Sequence, residues 1–130
     1  MPTPKLLMAL SRIKVTRIGL LLSSLPSLIA LALFYSLAVH MRLSLGAWPQ
    51  SIGERGFSPA LVTHSHVTWR CWEMLALVSL FVLPAVTLVG ALVPRGRRFA
   101  VYPALGTLVF LLCWGVMFLA PARFLNWWWD

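Results

Sequence analysis

The sequence predicts an all-α membrane protein, a single domain over residues 1–130 with three transmembrane helices. Of its 130 residues, 60% are hydrophobic and only 11% are charged, whereas soluble domains carry about 25% charged residues. The mean hydropathy of +0.85 agrees with this. Three runs contain no charged side chain, at residues 18–39, 74–93 and 100–121. Each is long enough to cross a bilayer as a helix, which takes about 20 residues.

The first run, 18–39, carries a face of small residues. Gly19, Ser23 and Ser27 are spaced four residues apart, so they predict a surface where another helix can approach closely. Pro26 lacks a backbone donor and predicts a bend. The preceding basic segment, 1–17, is interpreted as a surface helix or as a polar tail.

A cleaved signal peptide is the alternative interpretation of the N-terminal region. The basic start, the apolar centre and the small residues of Ser36-Leu37-Ala38 fit that pattern. The apolar run exceeds the roughly 7–15 residues of a signal peptide, which favours a retained membrane span.

The connection 40–58 is predicted to be irregular, because Gly46, Pro49, Gly53 and Gly56 interrupt any helix. Its segment Arg-Leu-Ser-Leu-Gly-Ala-Trp-Pro, residues 42–49, resembles a loop in small bacterial integral membrane proteins of unknown function. The resemblance covers eight residues and implies no activity.

A helix is predicted from about Pro59, with Ser58 as its N-cap, running without a break into the second span. Its lead-in should lie at the membrane interface. His66, Arg70 and Glu73 share one helical face there and are the candidate polar stripe. They are interpreted as a proton or ligand contact or a docking stripe, or as a self-neutralising interfacial surface. Pro84 predicts a kink in the span.

Tryptophans and arginines mark the predicted membrane boundaries. Three arginines, Arg95, Arg97 and Arg98, lie in the short turn between the second and third spans. The tryptophans predicted to lie at the interface are Trp48, Trp69, Trp72, Trp127, Trp128 and Trp129. Contact with a hydrophobic partner is the alternative role of the last three.

Basic residues are unequally divided between the two predicted sides. Seven lie on the N-terminal tail and the 95–98 turn, and four lie on the 40–73 connection and the C-terminal tail. The positive-inside rule therefore predicts that the N-terminus is inside and the C-terminus outside. The excess of Arg over Lys favours a bacterial cytoplasmic membrane as the location.

The sequence does not predict an enzyme or a cofactor. It lacks a catalytic triad context, a nucleotide-binding glycine pattern and a pair of acids placed for acid–base work. Soft and imidazole ligands that suit copper lie on the predicted outer side: His40, Met41, His64, His66, Cys71 and Met74. However, His64 and His66 lie about 160° apart on a helix, so they cannot chelate one ion there, and no metal site is predicted.

The predicted function is that of a non-catalytic accessory or assembly subunit, or a homo-oligomer. The expected partners are the lipid bilayer and other transmembrane helices. Nucleic acid is not expected, because the net charge of +8 flanks apolar runs and suits lipid head groups. A small transporter or metal-handling protein using the outer His/Arg/Glu region is the alternative.

Overall fold

The computed structural model describes residues 16–50 and 52–130, and this part of the chain is helical without β-strands. Two of its helices are long and apolar enough to cross a membrane, or three if one bent pair counts as a single span. The predicted all-α membrane fold is therefore confirmed. The surface helix or tail predicted at 1–17 lies, up to residue 15, outside the described residues.

The first helix, α1, comprises Arg17–Leu45. Thr16 caps it, its Oγ1 accepting from Gly19 N at 3.2 Å. The helix ends at Gly46, whose φ of 66° suits glycine. It passes through Pro26 and continues six residues past the predicted boundary at 39. The irregular connection thus begins at residue 46 rather than 40, because no residue before Gly46 stops the helix.

The second apolar run forms one continuous rod. It consists of α2, Pro59–Leu77, a π-helical turn, Val78–Val82, and α3, Leu83–Leu92. Ser58 caps α2, its Oγ accepting from Leu61 N at 3.2 Å. In the π-helical turn Leu83 N donates to Val78 O, a five-residue step. Pro84 follows directly and has no N–H to donate. The backbone hydrogen bonds therefore change from the four-residue spacing of an α-helix to a five-residue spacing where the sequence predicts a kink.

The third apolar run is shorter as a helix than predicted. Helix α4 comprises Val101–Met117, and α5 comprises Ala122–Trp129 at 120° to it. The predicted span of 100–121 therefore ends as a helix at Met117. Pro121 stands immediately before α5, where its fixed φ is compatible with helix initiation. The C-terminal tryptophans lie on α5, a helix that folds back, and not on an extended tail.

Helix α1 packs between α2 and α4. The core is densest at the end of the bundle that carries α5, which we call the α5 end. There the Phe34 ring lies 5.1 Å from the rings of both Phe124 and Trp128, measured between centroids. Phe124 and Trp128 are one helical turn apart and are the buried residues of α5. Helix α3, in contrast, buries none of its residues.

Candidate functional site

The predicted polar stripe divides into two separate ion pairs. Arg70 Nη1 donates to Glu73 Oε2 at 2.8 Å, and both side chains are exposed. His66 does not join them, because its Nε2 lies 2.9 Å from Glu54 Oε1. Exposed pairs of this kind contribute at most about 1 kcal/mol. The stripe is therefore a solvated polar surface in which Arg70 contacts Glu73 and His66 contacts Glu54.

Glu54 is a site residue that the sequence analysis did not single out. Its Oε1 also accepts from Ser65 Oγ at 3.0 Å, and Ser65 is buried. The carboxylate thereby fastens the 46–58 connection to α2. No periodicity could reveal this contact, since Glu54 lies on irregular chain outside the helix.

Two histidines predicted on the same side of the membrane are in direct contact. His40 of α1 and His64 of α2 place their Nδ1 atoms 2.9 Å apart. His64 Nε2 lies 3.1 Å from Ser36 Oγ, and Ser36 Oγ donates to Leu33 O at 2.9 Å. One arrangement satisfies all three bonds: His40 donates to His64, His64 donates to Ser36, and Ser36 donates to the backbone. His64 is then neutral, because its Nδ1 accepts while its Nε2 donates.

The environment of His64 favours its neutral form. Partial burial, followed by the neighbouring His40 imidazole, lowers the pKa of His64 below its ordinary value. Both effects penalise a positive charge on the ring. His64 lies ten residues before Met74, about 15 Å along the helix, and so outside the predicted span.

The other proposed metal ligands do not converge. Within residues 16–50 and 52–130, no group of three His, Cys, Asp or Glu side chains is arranged to hold a metal ion. Of the six outer ligands, only His40 and His64 contact each other through ring nitrogens.

No protein-family model matches the chain, and no curated protein or solved structure is significantly similar to it. Any functional assignment therefore depends on the geometry of its surfaces and cavities.

A groove of about 1060 Å³ runs along the bundle between α1, the α2–α3 rod and α4. Its length, from Arg70 to Val86, is about 24 Å at 1.5 Å per residue. The predicted packing face lines it: Gly19, Ser23 and Ser27. Part of that face is used within the chain, since Gly19 abuts Tyr102 and the Ser23 carbonyl lies beside Gly106.

One polar atom in the groove lacks a partner. Ser79, in the π-helical turn, is 1% exposed, and its Oγ has no hydrogen bond. Its carbonyl, by contrast, accepts from Thr107 Oγ1 at 3.2 Å. An unpaired buried hydroxyl costs about 1–3 kcal/mol. Its burial arises from the packing of α4 against the rod and has no signature in the sequence.

The predicted interfacial tryptophans gather at the α5 end. Trp72 is buried and donates from Nε1 to Ala30 O at 2.9 Å. Trp127 donates to Gly53 O at 2.9 Å, and Trp48 lies beneath the Arg42 guanidinium, 5.6 Å from the ring centroid. Indole rings also line two clefts, of about 190 Å³ and 380 Å³. The tryptophans that line one or both of them are Trp69, Trp72, Trp114, Trp127, Trp128 and Trp129.

The three topology arginines lie at the opposite end of the bundle. Arg95, Arg97 and Arg98 are exposed in the turn between α3 and α4. Arg97 Nε donates to Ala91 O at 3.0 Å, which satisfies a carbonyl in the last turn of α3. A cavity of about 390 Å³ adjoins this turn and is lined by Gly90, Gly96, Phe99 and Ala100, but none of the three arginines lines it.

Proposed function

We propose that the protein is a multi-pass membrane protein that acts as a non-catalytic accessory or assembly subunit, by packing the groove between α1 and the α2–α3 rod against a helix of a second membrane chain. The observation that carries this proposal is the groove itself, which runs along α1, the α2–α3 rod and α4. Small residues on its floor allow close backbone approach, which is how helices associate in lipid.

The dimensions of the groove fit a helix. Dividing its volume by its length gives a cross-section of roughly 44 Å². A helix with its side chains is about 10–12 Å in diameter, so this area is close to half its cross-section. A helix half-inserted there would still expose its other half to lipid or to its own subunit.

The outward face of α3 supports the same proposal. None of its ten residues is buried, and Val86, Leu88, Val89 and Leu92 are each more than half exposed. Leu83 and Val86 also line the groove. A helix in the groove would cover Leu83 and Val86 and would leave Leu88, which lies outside the groove, uncovered.

Orientation and location follow from charge. With the N-terminus inside, the arginine turn faces the cytoplasm and the α5 end faces outward. The bacterial cytoplasmic membrane is the proposed location.

The proposal is tested by photocrosslinking in native membranes from positions on one helix. A photoreactive amino acid replaces Val86, which lines the groove, or Leu88, which is 61% exposed and lies outside it. We expect a discrete protein adduct from position 86 and none from position 88. Loss of the position 86 adduct when Leu22, which lines the groove and is 67% exposed, is replaced by Trp would tie it to the groove.

Two results would contradict the proposal: equal adducts from both positions, or lipid adducts alone. If an adduct forms, its mass separates a second copy of this chain from a different subunit. This distinguishes the homo-oligomer from the accessory subunit.

A transporter or metal-handling role has one supporting observation, the contact between His40 and His64. Two imidazole nitrogens that meet across two helices are suitable ligands for a soft cation such as Cu⁺. Metal content of the purified protein, compared between the native chain and His64→Ala, tests it. Equal metal content would exclude this role for the pair.

A further inference from the structure

The acidic residues of this basic chain are confined to one region. The sequence has three acids against 11 Lys and Arg. Glu73 lines the smaller cleft at the α5 end, and Glu54 and Asp130 line the larger. All three carboxylates therefore lie at the α5 end, in clefts that are also lined by indole rings.

Indole rings form the walls around these carboxylates. Trp69, Trp128 and Trp129 line both clefts, which makes the clefts adjoining halves of one site, the tryptophan cleft. Trp69 and Trp128 meet edge to face, with ring centroids 5.0 Å apart. Trp69 and Trp129 remain 47% and 49% exposed, so their faces are accessible. The faces of tryptophan rings attract cations within about 6 Å.

One carboxylate of the cleft is left without an ion pair. Arg70 pairs with Glu73, and His66 and Ser65 contact Glu54. Asp130 has no ion pair within the described residues. Asp130 is therefore the carboxylate that remains to face a ligand, and Glu54 lines the same cleft.

We infer that the tryptophan cleft binds an alkylammonium group, with the indoles of Trp69 and Trp129 against its methyl or methylene groups and the carboxylates of Glu54 and Asp130 near its charge. Indole walls with carboxylates are the chemistry by which proteins recognise quaternary ammonium. The larger cleft, about 380 Å³, exceeds the space such a group needs.

The same group can arrive on a lipid head group or as a free small molecule. An adjoining cleft of about 460 Å³ shares Trp127 and Asp130 and is also lined by Arg123. A guanidinium beside the ammonium site suits the phosphate of a zwitterionic head group. Binding of phosphatidylcholine but not choline would identify the lipid as the source, and binding of both would identify the ammonium alone as sufficient.

The experiment uses the full chain labelled with 5-fluorotryptophan in detergent micelles or nanodiscs. Choline and its neutral isostere 3,3-dimethyl-1-butanol are titrated in micelles, and nanodiscs of phosphatidylcholine are compared with nanodiscs of phosphatidylglycerol. We expect saturable shifts of the Trp69 and Trp129 fluorine signals with choline or in phosphatidylcholine, and none with the neutral isostere. A variant carrying both Glu54→Gln and Asp130→Asn should bind at least ~10-fold more weakly, given the strength of desolvated cation–π and charge contacts.

Trp48→Phe is the matched control, because Trp48 lies outside the cleft and beside Arg42. It should leave the shifts unchanged. The inference is overturned if the neutral isostere shifts the signals as choline does. It is also overturned if neither choline nor phosphatidylcholine shifts them in a chain whose fluorine spectrum shows it to be folded.

Discussion

The imidazoles of His40 and His64 meet nitrogen to nitrogen, Nδ1 to Nδ1 at 2.9 Å, and join the end of α1 to the first half of α2. Two ring nitrogens at this distance share a single hydrogen. If both rings were fully protonated, two N–H groups would oppose each other. The contact therefore stabilises the helix pair only while the pair is not doubly charged.

Thermal stability is expected to fall as the pH is lowered below about 6.5, the ordinary pKa of histidine. Partial burial and the nearby His40 lower the pKa of folded His64. Between that lowered pKa and the ordinary value, the unfolded chain binds more protons than the folded chain, so stability rises with pH there. This contribution to stability is fully present above the ordinary pKa of histidine and is lost as the pH decreases toward the lowered pKa of His64. Tryptophan fluorescence during heating in detergent measures this.

His40→Asn should weaken the pH dependence without abolishing it, since asparagine removes the effect of His40 but leaves the burial of His64, which is the larger cause of its lowered pKa. His66→Gln is the control. His66 is exposed and paired with Glu54, so the contribution of the His40–His64 pair should persist in that variant. An unchanged profile in His40→Asn would show that the pair is not the source.

Replacing Trp72 with Phe should destabilise the protein by about 1–3 kcal/mol, from the lost hydrogen bond and lost packing. Trp72 is 6% exposed, and its Nε1 donates to Ala30 O at 2.9 Å, which links α2 to α1. Unfolding by denaturant in mixed micelles gives the free energy. Trp129→Phe, at a residue 49% exposed, should change it by less than about 0.5 kcal/mol. Equal costs at the two sites would refute the assigned role of the buried bond.

The features that the sequence predicts are local ones. The length and hydropathy of the apolar runs predict the membrane helices, and Ser58-Pro59 predicts the residue at which α2 begins. The helical spacing of Arg70 and Glu73 predicts their contact. Each of these depends on residues within a few turns of one another, where run length, capping and the 3.6-residue period apply directly.

The remaining features depend on contacts between distant segments. His40 and His64 are 24 residues apart on different helices, and no periodicity relates them. The pairing of His66 with Glu54 requires the fold of the 46–58 connection. Phe124 and Trp128 have the spacing of one buried helical face, which could have predicted α5. The sequence interpretation of the three consecutive tryptophans was instead an interfacial anchor or a contact with a hydrophobic partner.

Topology reporters should give opposite results at the two ends of the bundle. The clustering of Arg95, Arg97 and Arg98 opposite the α5 end predicts that alkaline phosphatase is inactive when fused after Arg97 and active after Asp130. β-Galactosidase, which requires the cytoplasm, should show the reverse pattern at the same two positions. The inverse result from both reporters would overturn the proposed orientation and place the tryptophan cleft inside the cell.

Gly19→Ala should destabilise the contact between α1 and α4 by about 1–3 kcal/mol, as overpacking does in well-packed cores. A Cβ at Gly19 would lie against three atoms of the Tyr102 ring, the nearest being Cε1. The ring is not free to move away, because Tyr102 Oη accepts from Thr16 N at 3.1 Å and so holds the start of α1. Thermal unfolding in detergent is the measurement.

Gly115→Ala is the matched control for this prediction, because a Cβ there meets no atom within 4 Å. Gly115 lies within α4, so alanine should be neutral or stabilise the helix by up to about 1 kcal/mol. Adding Tyr102→Ala to Gly19→Ala should cost less than the two single changes together, since removing the ring removes the clash. Adding Tyr102→Phe should give only partial relief, since the ring remains but loses the hydrogen bond to Thr16 that holds it in place. Strict additivity of Gly19→Ala and Tyr102→Ala would show that the two residues do not limit how closely α1 and α4 approach.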